Sequence, residues 1–405
     1  MIKKKQIIEQ ISTLNIIIFF VGFDFVTSFA SLFIADIDEH SQLITIPFRA
    51  FALVISLLVL IINLKNKIKP NFSLICLFFY LFLLTIRLFY DFGIRNDIDT
   101  FRSDRMQVIL LFGSMFINTL AVAKSYTNIN LNVTFKYIYI FYAVILLINY
   151  LTVQEFSIES ILIQKQVGTG VRNTIATGYI AAIFILISFH YYLKTSTSNL
   201  YKIIFIPIIF IATIILLRAG SRGPLLSVFI GIILYFSFKR KNSFKIIMYS
   251  FLSLSLLTFF YSEILSAIFK ISPVMAERIE YTFLEGDKSR IEYFNAGIEG
   301  FLNNPFTGSY AFVYTPFEWY EYPHQLVIEA FMATGIFGGI ALIVVLVGVA
   351  KHSIISIQKN SGNVWLALIV VTYIVRALSA GSIYFGEYPI VFTFILLTQY
   401  PKADL

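Results

Sequence analysis

Apolar residues run through this chain in stretches of about 20, broken by short polar connections, which is the length a helix needs to cross a bilayer. The pattern predicts twelve spans, near residues 14–34, 43–63, 72–90, 106–123, 135–153, 174–193, 200–217, 224–238, 246–268, 325–349, 364–380 and 387–400. One connection is out of scale with the rest. Residues 269–324 form a stretch with polar, aromatic and charged positions, of the kind membrane proteins keep for work outside the bilayer. The expected fold is therefore all-α and polytopic, in three parts: spans one to nine over 1–268, a large loop with short amphipathic helices over 269–324, and spans ten to twelve over 325–405.

Composition agrees with that pattern. The 405 residues are 58% hydrophobic, 17% aromatic and 13% charged, and the mean hydropathy is +0.81. A soluble chain of this size carries roughly twice that share of charge. The single Cys76 permits no internal disulfide and says nothing about redox compartment. The start, "MIKKK", leads into a full-length span with no small-residue cleavage pattern, so no cleavable signal peptide is expected.

Charge then gives orientation. With an even number of spans both termini share one side, and that side collects sixteen lysines and one arginine, Arg240. The positive-inside rule makes it the cytoplasm. The opposite side and the membrane interior hold three lysines and eleven arginines, and residues 269–324 face outward. The formal net charge of +8 is thus mostly a topology signal.

The lysine/arginine split points to chemistry. Either residue would steer insertion, but only arginine offers a planar fork that grips phosphate in two places. Some of the outer arginines have a plainer account: Arg95, Arg102 and Arg105 lie near Asp91, Asp97, Asp99 and Asp104 in sequence, and others can snorkel to headgroups. Arg218 and Arg222 lack that account, because no acidic residue occurs between Glu159 and Glu263. In "LRAGSRGPLL" Gly220 and Gly223 relax the chain and Pro224 suits the first turn of a helix. Arg222 is thereby delivered to a helix N-terminus, where free N–H groups favour an anion, and phosphate best. The plain alternative is a turn arginine bonding neighbouring carbonyls.

Three further stretches are expected on the same face. "KQVGTGVRNTIATGY" is a glycine-rich lead-in to the sixth span with Arg172 at its edge. "SRIEYFNAGIEGFLNNP" starts at Arg290 and repeats Ile291, Phe294, Ile298 and Phe301 or Leu302 at helical spacing, an interfacial amphipathic helix stopped by Asn303, Asn304 and Pro305. "YEYPHQLVIEAFMATG" puts His324 where the loop re-enters the membrane. A lone histidine is more often structural than catalytic, but a neutral imidazole beside aromatics and opposite arginine turns can take a proton from a sugar hydroxyl. Trp319, Tyr320 and Tyr322 offer flat faces for sugar rings, or else anchor the loop in the headgroup layer. No cluster of histidines and carboxylates suggests a metal site, and no cofactor is expected.

Taken in order over residues 165–345, the glycine-rich turn, the "SRG" turn, the "R…NP…G" segment and the "PH…E…G" entry resemble the bacterial O-antigen polymerase and O-antigen ligase superfamily. The family's essential arginine and histidine map onto Arg222 and His324; Arg172 and Arg290 match less firmly. Gln325 departs from the asparagine of many relatives but retains an amide. The resemblance implies a glycosyltransferase that needs no metal. Its donor would be a glycan on undecaprenyl diphosphate at the outer face of the bacterial inner membrane. Arg218, Arg222, Arg172 and Arg290 would bind the diphosphate, and His324 would act on a glycan acceptor. Membrane lipid and a chain-length regulator protein are the other expected partners, and nucleic acid is not one. The short "SRGPLL" turn and the long aromatic loop favour a polymerase joining repeat units over a ligase acting on lipid A-core. A flippase or transporter is the more distant alternative, disfavoured because only Asp24 lies clearly mid-span and no inverted repeat is visible.

Overall fold

The computed structural model describes residues 2–33, 41–68, 70–94, 105–152, 174–193, 199–239, 248, 261–271, 273, 276–277, 279–280, 288–314, 320–359, 362–379, 381–383 and 387–398. They are almost wholly helical. In chain order the longer elements are α1 (Ile2–Ile17), which passes through a π-turn at Ile18–Gly22 into α2 (Phe23–Ala30), then α3 (Ser41–Ile62) and α4 (Phe72–Phe89). There follow α5 (Arg105–Tyr126), α6 (Leu131–Thr152), α7 (Thr174–Leu193), α8 (Asn199–Arg218) and α9 (Arg222–Lys239). The series closes with α10 (Tyr261–Ile271), α11 (Lys288–Asn303), α12 (Leu326–Gln358), α13 (Val364–Ser379) and α14 (Glu387–Leu397). The only extended pairing among the described residues joins Val313–Tyr314 to Tyr320–Glu321, antiparallel.

Among the described residues, seven helices are long and apolar enough to cross a membrane: Lys5–Ala30, Leu43–Ile62, Phe72–Phe92, Leu131–Thr152, Ile175–Tyr192, Arg222–Lys239 and Leu326–Gln358. Shorter apolar helices lie at Ile206–Arg218, Val364–Ser379 and Glu387–Leu397. The expected span near 246–268 falls mostly outside the described residues; the other eleven expected positions fall on helix.

At the centre stand α13 and α14. From Val364 to Ala377 every side chain but Ile374 is buried, and α14 is buried from Tyr388 to Leu397. A helix that is apolar all round belongs inside a bundle. Trp365, Tyr80, Tyr142, Tyr388, Phe184, Phe392 and Phe394 are among the largest side chains in this core. Around it pack α4, α7, α9 and α12, with α4 lying along α12 and α9 touching both α7 and α13. Gly348 lets α12 approach Ser73 of α4: a Cβ there would sit 2.2 Å from the serine hydroxyl.

The two ends of the bundle differ in chemistry. Beside the start of α4, Asn63, Asn66, Thr127 and Asn128 share hydrogen bonds, and the Lys124 ammonium donates to the Asn66 carbonyl. At the far end of α4, Arg87 holds the loop that enters α12.

The long apolar stretch after His324 is not one straight helix. Gly335 sits at φ 67, ψ −164 inside α12, a conformation open to glycine alone. The break frees main-chain groups, and the loop after α11 satisfies them. Ile336 N–H donates to Pro305 O at 2.8 Å, and Ser309 N–H donates to Met332 O at 2.9 Å. Arg87 completes the joint by donating to the carbonyls of Ala333 (2.9 Å), Thr307 (2.6 Å), Gly308 (2.7 Å) and Ser309 (3.2 Å). Asp91 pairs with Arg87 at 3.3 Å and accepts from Ala311 N–H at 2.8 Å. Because Arg87 is in the last turn of α4, the break lies level with that end of the bundle. The expected span 325–349 is therefore divided, its first turns standing beside the outer loop and its main shaft beginning at Ile336.

Candidate functional site

The "SRG" turn is built from three different devices. Helix α8 ends at Arg218, and Gly220 follows at φ 59, reversing the chain after Ala219 N–H has bonded Ile215 O. Arg222 then opens α9, half buried, with Pro224 in its first turn where no N–H is missed. Gly223 is needed for a reason the turn does not reveal: a Cβ on it would stand 2.5 Å from the Tyr179 hydroxyl and 3.6 Å from Ser379 Oγ. Gly178, beside Tyr179, likewise makes room for Pro224, 2.8 Å from its own absent Cβ. The turn is thus seated on α7 and on the end of α13.

Arg290 reaches the same place from the outer loop. Its Nη1 donates to Ser379 O at 3.2 Å, and Tyr179 lies within electrostatic reach of both Arg290 and Arg376. Helix α11, which carries Arg290, has three faces. Glu292, Asn295, Glu299 and Asn303 form a polar face, and Gly297 and Gly300 are buried against Pro323, Ile328, Tyr310 and Met332. The apolar stripe expected from the sequence is turned outward at Ile291, Phe294 and Leu302, 57%, 36% and 67% exposed. That is the face an interfacial helix presents to lipid. Beyond its end, burial and then the Glu299 carboxylate push the Tyr310 phenol above its usual range.

His324 stands at the head of α12 in a strained backbone. At φ 56 it is the one non-glycine residue with positive φ among the described residues. Histidine tolerates this region at some cost, and such strain persists where surrounding structure insists on it. The insistence comes from both sides. Pro323 is wedged against Gly297, and Gln325 caps α12 through its side-chain oxygen, which accepts Ile328 N–H at 2.7 Å. The imidazole lies 4.4 Å from the Tyr322 ring and 5.6 Å from the Tyr293 ring. Gln325, the departure from the family pattern, keeps its amide in use as a helix cap.

Two carboxylates, Glu329 fully buried and Glu387 half-buried, anchor this region. Glu329 Oε1 accepts from Ser382 Oγ (3.0 Å) and Ile383 N–H (3.1 Å). Glu387 Oε2 lies 3.1 Å from Arg376 Nη1 and accepts the Tyr373 hydroxyl at 3.0 Å. The segment from Arg376 to Ile383 thus meets the "SRG" turn, Arg290 and the head of α12. Sequence reasoning left it out of the site, although a lone arginine in an apolar span is itself a signal.

Of the residues singled out from the sequence, Arg222, Arg290, Tyr322 and His324 converge on this end of the bundle. Arg218 turns elsewhere, its guanidinium 5.7 Å from the ring centroid of Tyr150 on α6. Arg172 and Trp319 lie outside the described residues, as does the side chain of Tyr320. Among the described residues no three His, Cys, Asp or Glu side chains gather as a metal ion would need.

Among curated proteins none matches this chain. A family model does: residues 206–343, from within α8 to just past the break in α12, match the model described as O-Antigen ligase. The matched stretch holds Arg218, Arg222, Arg290 and His324 and stops short of Arg376 and Glu387. The seated turn and the strained histidine both lie within that matched stretch, which is similar to the O-antigen ligase family, and around it stand apolar helices of a length to cross a membrane.

Proposed function

We propose that this protein is an O-antigen polymerase, joining undecaprenyl-diphosphate-linked repeat units at the periplasmic face of the inner membrane. In this reading the chain spans the membrane twelve times, with both termini in the cytoplasm and residues 269–324 in the periplasm. The observation that carries the reading is the placement of His324. Its backbone is held in a costly conformation, its ring is flanked by Tyr322 and Tyr293, and it stands at the same end of the bundle as Arg222 and Arg290.

The chemistry follows from those positions. The donor's diphosphate lies against Arg222, at the N-terminus of α9, and Arg290. The acceptor hydroxyl gives its proton to the His324 imidazole as its oxygen attacks the anomeric carbon of the donor sugar. A new C–O bond forms, the anomeric C–O bond to phosphate breaks, and the electron pair leaves with undecaprenyl diphosphate. Guanidinium groups already in place stabilise that departing charge. Tyr322, beside His324, offers its ring to the sugar, a role the sequence also suggests for Trp319 and Tyr320.

The family description favours a second reading, a ligase that passes the finished glycan to lipid A-core, with the same residues in the same roles. A lipopolysaccharide profile of a strain lacking the gene separates the two. Loss of a polymerase leaves core capped with a single repeat, because a separate ligase still works. Loss of a ligase leaves bare core with polymer stranded on the lipid carrier. Bare core with lipid-linked single units trapped on the cytoplasmic side would rule out glycosyl transfer.

A further inference from the structure

The last turn of α13 holds a cation that none of the roles above uses. Arg376 is 8% exposed inside an apolar helix, a placement that is expensive and marks function more often than not. Its guanidinium lies 5.2 Å from the Tyr179 ring and 5.9 Å from the Tyr388 ring, and it pairs with Glu387 at 3.1 Å. Asp24, on α2, brings a second carboxylate within electrostatic reach. Each aromatic neighbour leads to a different part of the site. Tyr179 presses its hydroxyl against Gly223 of the "SRG" turn. Tyr388 presses against Gly381, 2.3 Å from its absent Cβ, and lies within reach of Tyr322, which flanks His324. Three residues after Arg376 on the same helix, Ser379 accepts the hydrogen bond of Arg290.

We propose that Arg376 is a positioning residue for glycosyl transfer: braced between Tyr179 and Tyr388, it sets the distance between the arginines that hold the donor diphosphate and the histidine that receives the acceptor proton. The proposal rests on the transferase reading given above. Such a brace calls for arginine in particular. A guanidinium can lie on ring faces while its edge forks to a carboxylate, whereas a lysine ammonium is a point charge that does one or the other. A cation kept only to neutralise Glu387 would be replaceable by lysine, or dispensable once both charges were removed together.

The test uses the full-length protein in lipid nanodiscs, with lipid-linked repeats extracted from the deletion strain as donor and either further repeats or lipid A-core as acceptor. Arg376→Lys and the paired neutral variant Arg376→Gln/Glu387→Gln are compared with wild type for melting temperature, donor KM and kcat. Misplacement of reacting groups lowers the rate of the chemical step, so kcat should fall roughly 100-fold while donor KM shifts less than about threefold. Both variants should melt like wild type. Wild-type kcat in the paired neutral variant would reduce Arg376 to a counter-charge and overturn the proposal. So would failure of both variants to fold, since Arg376 would then be a stability residue first. A wild-type protein that joins nothing to either acceptor would instead overturn the transferase reading itself.

Discussion

Arg290 donates a hydrogen bond to the main-chain carbonyl of Ser379, 89 residues further along the chain. Through that contact the outer loop is fastened to the end of α13, a helix buried along most of its length. The same Ser379 side chain lies beside Gly223. The loop's arginine and the turn's arginine are thereby brought to a common support.

Arg222→Lys separates a fork from a charge. If Arg222 grips diphosphate through two parallel N–H groups at the start of α9, lysine keeps the charge but loses the geometry. Transfer should fall by at least about tenfold, the scale of one charge-assisted hydrogen bond, at unchanged protein level. Long-chain lipopolysaccharide from a strain carrying only the variant gives the answer, and normal chain length at normal abundance would remove the fork.

His324→Gly makes stability and activity move in opposite directions. The native residue holds φ 56, which glycine adopts freely. The variant should fold at least as well as wild type, gaining up to about 1 kcal/mol from released strain, yet yield the single-repeat profile of the deletion strain. A melting curve in detergent and a lipopolysaccharide gel check the two halves independently. A variant that still polymerises would take the imidazole out of the reaction.

Gly223→Ala inserts a methyl group 2.5 Å from the Tyr179 hydroxyl, closer than real contacts allow. The turn must shift, and transfer should drop sharply with only a modest change in abundance. Tyr179→Phe removes the clashing oxygen while keeping the ring, so the double variant should recover part of the loss. No recovery would mean that Gly223 serves the backbone of the turn rather than its approach to α7.

Gly335→Ala should be the most damaging of these substitutions. It combines a positive φ with a Cβ 2.2 Å from the Phe306 carbonyl oxygen, and should cost more than about 2 kcal/mol. Low membrane abundance and a lowered melting temperature are the readouts. Wild-type stability would show that α12 can run straight through this point.

Cysteine labelling with an impermeant reagent fixes orientation, once Cys76 has been replaced. Residue 315 should label in intact cells and residue 241 should be protected. The reverse result would place His324 on the cytoplasmic side and disconnect it from periplasmic chemistry.

Much of the architecture was legible because the bilayer imposes it. Runs of about 20 apolar residues have few ways to satisfy their main chain other than as helices, and the helices Ser41–Ile62, Phe72–Phe89 and Leu131–Thr152 lie where the pattern puts them. Arg222 and His324 stood out because polar groups beside hydrocarbon need a reason. The break at Gly335 was hidden inside an unbroken apolar run, where periodicity cannot distinguish a straight helix from a bent one. What makes it a break is the carbonyl of Pro305 and the guanidinium of Arg87, far away in sequence. Arg376 was visible as a charge in a span, but its partners Tyr179, Glu387 and Tyr388 come from two other helices that no local spacing connects. The role of Gly223 was misread for the same reason: the turn suggests backbone freedom, and the structure answers with a tyrosine.

The joint at Gly335 bears on how such proteins diversify. Relatives that handle different sugars would be expected to trade outer loops, since a loop is ordinarily a replaceable appendage. Here the loop contributes its own main chain to the repair of a membrane helix, and a distant arginine on α4 completes the repair. A graft of residues 288–325 alone would arrive without a socket. Exchange of specificity has to carry loop, glycine and Arg87 together, which makes the unit of inheritance a discontinuous one, scattered along the gene but single in space.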